Sequence, residues 1–246
     1  MSVDTVETSP DAVHQRLVAF LHVGAVCAVV GSVGYVVALL LHGDLPDQTT
    51  RSVLAFIAGR AWAFHHLLIV FCLMLWVAAL GALAHALVDS LSWVLGRLGT
   101  GAAVLGLAVL LWHYNIDGPA LEQVADAWAG AEGTARAVEL ERGAVLLAAT
   151  SGMFPLYVAL LLGLPFVLFG VAVAGDRQFP TWLGWAGAGA GGLALAVGAT
   201  NFAGTGVLPM QLFVVSALVL SLWMFALGLW MWRRARGRTL EKSAPA

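Results

Sequence analysis

Residues 112–142 read WHYNIDGPALEQVADAWAGAEGTARAVELER, a long polar passage between two strongly apolar runs of the chain. The passage contains Pro119, several glycines and a series of acidic residues. Lipid hydrocarbon offers no water to satisfy broken backbone hydrogen bonds or carboxylates, so such a passage is unstable there. We therefore expect it to form a structured polar cap at one membrane face, with membrane-spanning helices before and after it.

The composition indicates a polytopic membrane protein. Of the 246 residues, 61% are hydrophobic and 11% are charged, and the mean hydropathy is +0.89. These values exclude an ordinary soluble domain. The net charge of -2 provides no basic face for nucleic acid, so we expect no nucleic-acid partner. The lipid bilayer is the predicted partner.

The apolar runs predict an all-α fold, because each is long enough to cross the hydrocarbon core as a helix, which takes about 20 residues. The predicted spans are residues 17–41, 61–87, 91–114, 143–174, 181–203 and 208–232. We therefore expect a single domain over residues 1–246, a polytopic membrane helix bundle with six transmembrane helices. Its other parts are a polar tail (1–13), the polar cap (117–142) and a basic tail (233–246).

The cap is predicted to contain a short amphipathic outer-face helix. Leu121, Val124 and Trp128 recur at helical spacing, whereas Glu122 and Asp126 fall on the opposite side. We expect the apolar side of this helix, which begins at residue 119, to close as a lid over polar side chains beneath it. A second helix is expected to begin near residue 134.

Two later spans carry features that bear on helix packing. Pro155 in the fourth span removes a backbone hydrogen bond, which predicts a bend near mid-membrane with Ser151 beside the freed carbonyl. The fifth span has small residues at a spacing of four, which predicts a close helix crossing and allows a homo-oligomer. These small residues are Gly184, Ala188 and Gly192 in one row and Gly187 and Gly191 in another.

The distribution of arginine and lysine predicts the orientation. If the C-terminus is cytoplasmic, eight of the twelve basic residues lie on the cytoplasmic side. We therefore expect a protein of the plasma membrane with both termini in the cytoplasm and the cap outside. An interfacial belt of tryptophans is predicted at the span ends: Trp62, Trp112, Trp128, Trp182, Trp185, Trp230 and Trp232.

The histidines suggest cofactor chemistry without a diagnostic motif. His22 and His42 are twenty residues apart, which is roughly 200° of helix rotation, so they point to opposite faces. His65 and His85 have the same spacing, which argues against a two-haem protein. A haem or a metal ion remains open as a cofactor. A metal site would use His65, His66, His113 and Glu139, which supply imidazole and carboxylate ligands at similar depth.

A polar pocket opening outward is the main functional prediction. The short connections make the second, third and fourth spans neighbours, so their outer ends are expected to meet. The candidate ligand-binding residues are His65, His66, His113, Asn115, Asp117, Glu139, Arg142, Tyr157 and Asn201. Such a pocket favours binding or moving a small or lipophilic molecule. The first alternative is a metal- or haem-dependent membrane oxidoreductase that uses the outer histidines, and the second is a structural or partner-binding membrane subunit.

The passages NIDGPALEQVADAWAGA (115–131) and FPTWLGWAGAGAGG (179–192) carry a family resemblance. With the proline-containing span between them, they resemble a group of uncharacterised six-helix integral membrane proteins from high-GC bacteria. The resemblance covers about the last two-thirds of the chain. It implies the fold and the membrane location, and it implies no catalytic residues.

Overall fold

A computed structural model of the protein describes residues 10–43, 45 and 49–243. Every regular element in these residues is helical, which confirms the all-α prediction. The helices are α1 (Pro10–His42), α2 (Thr50–Ile57), α3 (Trp62–Ala86), α4 (Ser90–Asn115), α5 (Leu121–Gly130), α6 (Gly133–Tyr157), α7 (Leu164–Gly175), α8 (Thr181–Phe202) and α9 (Leu212–Ser243). Two π-helical segments, Ile116–Ala120 and Val158–Gly163, join α4 to α5 and α6 to α7.

Within the described residues, six helical segments are long and apolar enough to cross a membrane, as predicted. They are α1, α3, α4 with α5, α6 with α7, α8 and α9. Because successive spans run in alternating directions, α1 begins and α9 ends at the same end of the bundle. We call this the terminal end, and the opposite end, which carries α2 and α5, the cap end.

The core of the bundle lies between helices distant in sequence. α1 packs against α3 and α9, and α7 packs against α8 and α4. The large side chains Tyr35, Trp76 and Phe166 are fully buried at these contacts. Outward-facing positions carry exposed valine and leucine side chains, such as Val104 and Leu222, as expected for a surface in lipid.

The irregularity in the fourth span lies after Pro155 and not at Ser151. α6 continues through Pro155 to Tyr157, and π-helical geometry begins at Val158. The Ser151 hydroxyl donates to the carbonyl of Leu147 at 2.7 Å. The wider turn is held by close contacts: a Cβ added at Gly106 would meet the backbone of Leu161. A wider helical turn thus follows Pro155 at residues 158–163, and a bend at Pro155 itself stays a prediction.

The small residues of the fifth span provide a close crossing within the chain. A Cβ added at Gly184 would collide with the backbone of Ala174 on α7, and one at Gly191 would meet Phe166. Gly187 lies against the Trp223 ring of α9. By contrast, Gly192 faces open space. The predicted close approach is confirmed, but its partners are α7 and α9; assembly through this span stays a prediction.

A network of buried hydrogen bonds connects the helices at the terminal end. The buried Asp176 carboxylate accepts hydrogen bonds from the backbone N–H groups of Val88 (2.8 Å) and Gln178 (2.9 Å). The Arg234 guanidinium donates to the Gln178 side-chain oxygen at 2.7 Å. This network joins the α3–α4 turn, the α7–α8 turn and α9, and it contains no predicted site residue.

The chain ends and the tryptophan belt differ in part from the predictions. α1 begins at Pro10 and α9 continues to Ser243, so much of each predicted tail is helical. Residues 1–9 and 244–246 of these tails lie outside the described residues. Trp182 and Trp185 are exposed, as a belt requires, whereas Trp62 and Trp128 are buried in the packing between α2, α3 and α5. The belt prediction is therefore wrong for Trp62 and Trp128.

Candidate functional site

The cap has a small hydrophobic core of its own. It consists of Val53, Leu54, Ile57, Trp62, Leu121, Ala125 and Trp128. Leu121 and Trp128 are on the predicted apolar side of α5, and they pack against α2 and the start of α3. This apolar side of α5 is packed on α2 and on Trp62, and the Trp62 ring in turn contacts His66. Closure of α5 over a ligand stays a prediction.

Acidic side chains of the cap bind backbone N–H groups at the start of α3 and in the turn before it. Glu122 accepts a hydrogen bond from the Ala63 N–H, and Asp126 accepts one from the Gly59 N–H at 2.9 Å. Helix starts expose unpaired N–H groups and partial positive charge, which carboxylates satisfy. The side of α5 expected to face water thus anchors α3.

Beneath this cap lies a buried cluster of imidazoles around one carboxylate. We call His42, His66, His113 and Asp117 the His–Asp cluster. The Asp117 Oδ2 atom lies 3.1 Å from His66 Nε2 and 3.8 Å from His113 Nε2. The exposed fractions of the two histidine side chains are only 2% and 3%. The structure therefore brings together three predicted site residues from α3, α4 and the following π-helical turn.

The backbone around Asp117 explains how the cluster forms. The Asp117 carbonyl accepts a hydrogen bond from the Trp62 indole N–H at 2.7 Å. A Cβ added at Gly118 would lie 3.2 Å from the His66 Cβ, so glycine lets the turn approach α3 closely. The π-helical turn at Ile116–Ala120 carries Asp117 back toward the bundle, where it meets His66.

Aromatic side chains enclose the cluster on its membrane side. Tyr157, a predicted site residue, is buried, and its ring lies 5.9 Å from the ring of Tyr114. The Tyr157 ring lies 5.1 Å from the His113 ring, and Phe154 lies 6.0 Å from it. These rings separate the polar cluster from the hydrocarbon-facing part of the bundle.

His42 belongs to the cluster although it is absent from the predicted site. Its ring centroid lies 5.0 Å from that of His66 and 4.2 Å from that of Trp62. The available signal was its depth, since His42 ends the first span at the same predicted level as His66. What sequence reasoning lacked was the extensive packing of α1 against α3.

The other predicted residues lie elsewhere. Glu139 and Arg142 form an ion pair at 2.8 Å on the outer side of α6. Asn115 is exposed, and His65 is half-buried. The Asn201 side chain donates to the Leu208 carbonyl at 2.9 Å, which closes the α8–α9 connection. The predicted set is thus divided between the His–Asp cluster and separate positions on the surface.

The predicted metal site is not assembled. Across the described ranges, no group of three or more histidine, cysteine, aspartate and glutamate side chains is arranged to hold a metal ion. His66 contacts Asp117, and Glu139 is paired with Arg142 on α6. Glu139 instead faces the groove between α5 and α6, whereas His66 and His113 are buried.

A groove runs between α5 and α6 on the outside of the cap. Its volume is about 970 Å³. It is lined by Ala120, Gln123, Val124, Ala127, Thr134, Ala137, Val138, Glu139, Glu141, Arg142, Val145 and Leu146. Val138 and Val145 are largely exposed, so the groove is open to its surroundings. We call it the cap groove.

Comparison of the chain with protein-family models, with curated proteins and with solved structures finds no match. The His–Asp cluster and the cap groove are the two features of the described residues that suggest a function.

Proposed function

We propose that this integral membrane protein binds a small amphiphilic molecule in the cap groove. The observation that carries the proposal is the mixed lining of the groove, where apolar side chains adjoin the Glu139–Arg142 ion pair. Small-molecule sites combine an apolar wall with a few polar groups, in volumes of roughly 300–1,000 Å³. The cap groove has this character and a volume of about 970 Å³.

The lining favours a particular kind of molecule. Val124, Val145 and Leu146 provide a surface for an alkyl chain, whose burial is favourable in proportion to its apolar area. Among the lining residues, Glu139 and Glu141 place two carboxylates against the single guanidinium of Arg142. This excess of negative charge favours a cationic head group, so we propose an amphiphile with one alkyl chain and an amine.

We further propose that the cap groove opens on the outer face of the plasma membrane. This proposal rests on the basic residues: Arg97, Arg177 and Arg233 are exposed at the terminal end. Positive residues are retained on the cytoplasmic side of membrane proteins. Both termini are then cytoplasmic, and the ligand is reached from outside or from the outer leaflet.

Photo-crosslinking tests the binding site directly. The protein is reconstituted in lipid nanodiscs with a diazirine-bearing long-chain alkylamine, and the modified peptides are mapped by mass spectrometry. We expect labelling of α5 and of the first half of α6. The matching long-chain carboxylate is expected to label these peptides less, because the groove repels it. Equal labelling by the two probes would contradict the assignment of the head group.

A pair of tryptophan variants makes the test specific. Val145 lines the groove and is exposed, so Val145→Trp fills the groove without disturbing the core. Val104 is exposed on α4 away from the groove and provides the matched control, Val104→Trp. We expect Val145→Trp alone to lower labelling about tenfold, equivalent to about 1.4 kcal/mol of binding free energy. Equal labelling of both variants would refute a site in the groove.

The alternative function, a metal- or haem-dependent oxidoreductase, is not favoured by a specific observation. The His66 Nδ1 atom lies 3.0 Å from the Trp62 carbonyl, and the His42 Nδ1 atom lies 2.8 Å from the Gly43 carbonyl. The second nitrogen of His66 faces Asp117. These contacts occupy both ring nitrogens of His66.

A further inference from the structure

Both ring nitrogens of His66 face hydrogen-bond acceptors. Nδ1 lies 3.0 Å from the backbone carbonyl oxygen of Trp62, four residues earlier on α3. A carbonyl oxygen accepts hydrogen bonds and cannot donate them, so Nδ1 carries a hydrogen and donates it. In a neutral imidazole the other nitrogen, Nε2, is then a bare acceptor.

Nε2 of His66 nevertheless lies 3.1 Å from Oδ2 of Asp117. An ionised carboxylate is also an acceptor only. Two acceptors at hydrogen-bond distance in a buried site repel each other, and burying unpaired polar atoms is costly. The contact is stable when one additional proton lies between the two atoms.

The charges around Asp117 also indicate an additional bound proton. Within the described residues, its ion-pair partners are His66 and His113, and both are neutral unless protonated. The other titratable groups near the cluster are His42 from α1, His65 from α3, Tyr114 from α4 and Tyr157 from α6. None of these groups carries a permanent positive charge. The carboxylate is therefore neutralised by a proton and not by a lysine or arginine.

His113 provides a second place for that proton. Its Nε2 atom lies 3.8 Å from the same Asp117 oxygen, slightly beyond hydrogen-bond distance. Its Nδ1 atom is buried and has no hydrogen-bond partner in the described part of the chain. A small rotation of the carboxylate brings it within reach of His113.

We propose that His66, Asp117 and His113 form a proton-binding site inside the cap end of the bundle. One proton lies between His66 Nε2 and Asp117 Oδ2, and His113 Nε2 is the second acceptor. Transfer breaks the bond of the proton to His66 or Asp117 and forms an N–H bond at His113, so the total charge of the cluster is unchanged. The proposal does not depend on ligand binding in the cap groove.

Nitrogen-15 NMR of histidine-labelled protein in lipid nanodiscs at neutral pH tests the bound proton. We expect His66 to be protonated on both ring nitrogens, or on Nδ1 alone together with an infrared carboxylic-acid band that Asp117→Asn removes. In Asp117→Asn, whose amide can donate to Nε2, we expect hydrogen on Nδ1 alone. If wild-type His66 carries hydrogen only on Nε2, or only on Nδ1 without the infrared band, no additional proton is bound and the proposal fails.

Exchange of the bound proton with solvent tests the role of His113. We expect His113→Gln to slow this exchange about tenfold, a change of about 1.4 kcal/mol in the exchange barrier. The matched control is His85→Gln, because His85 is an exposed histidine at the opposite end of the bundle. Equal exchange rates in His113→Gln and wild-type protein would show that His113 takes no part in the proton-binding site. Retention of the helical circular-dichroism spectrum identifies the variants that are folded.

Discussion

The imidazole of His66 and the carboxylate of Asp117 lie 3.1 Å apart, although 51 residues separate them in the chain. This contact connects α3 to the π-helical turn that follows α4. In the same turn, the Asp117 carbonyl accepts a hydrogen bond from the Trp62 indole N–H. The start of α3 is therefore held by both the side chain and the backbone of a single residue.

Removing the Asp117 carboxylate should destabilise the cap end. Breaking one partner of a buried ion pair costs about 3–5 kcal/mol, because the other partner is left unpaired. We expect Asp117→Ala to lower the melting temperature of the detergent-solubilised protein more than Asp117→Asn, which retains hydrogen-bonding atoms. Glu132 is exposed, so Glu132→Ala serves as the control for loss of an acidic residue. A melting temperature for Asp117→Ala equal to that of the control would contradict the predicted stabilisation.

The glycines of α8 should differ in their tolerance of a methyl group. Gly184→Ala places a Cβ against the Ala174 backbone, whereas Gly192→Ala places it in open space. Overpacking typically costs about 1–3 kcal/mol, and alanine favours an exposed helix position by about 1 kcal/mol over glycine. We therefore expect Gly184→Ala to lower the thermal stability and Gly192→Ala to preserve or raise it. The reverse order would show that α7 and α8 do not cross at Gly184.

The small core of the cap should unfold locally when it is weakened. The Leu121 side chain of α5 is fully buried against α2, and truncating a buried leucine to alanine costs about 2–5 kcal/mol. We expect Leu121→Ala to increase hydrogen–deuterium exchange in α2 and α5. Exchange in α7 and α8 should stay unchanged, since these helices belong to a separate core. Uniformly increased exchange would indicate that the cap and the bundle unfold as one unit.

The proposed orientation is tested by cysteine labelling in intact cells. Ala129 is exposed on the cap, and Ser90 is exposed at the terminal end. An impermeant thiol reagent added outside should label Ala129→Cys and should leave Ser90→Cys unlabelled until the cells are lysed. The native Cys27 and Cys72 provide the background, which unmodified protein measures. Labelling of Ser90→Cys alone would reverse the orientation.

The helix boundaries were closely predictable from the sequence, because hydrophobic length and breaks in the chain are local properties. The turn between the second and third predicted spans and the turn before the fifth are present at the expected residues. The wider turn at residues 158–163 was not predicted, because proline alone indicates a weak point in a helix. The actual position of the wider turn depends on how it packs against glycines of neighbouring helices, such as Gly106 and Gly198.

The candidate site was predictable only in part. His66, His113 and Asp117 were placed at one depth by the order of the spans, and the structure brings them together. Depth does not specify rotation about a helix axis, and so Asn115 and Glu139 were grouped with them although they lie outside the cluster. The inclusion of His42 required knowledge that α1 packs on α3.

By itself, the sequence determined the all-helical membrane class, the extents of the apolar segments and the polar cap. These properties follow from the cost of placing polar groups in hydrocarbon, which acts on each segment separately. Only the tertiary structure decided which side of α5 is buried, which glycines contact other helices and which histidines share Asp117. Those outcomes depend on helix rotation and on contacts between residues distant in sequence, and these are determined by the packing of the whole bundle.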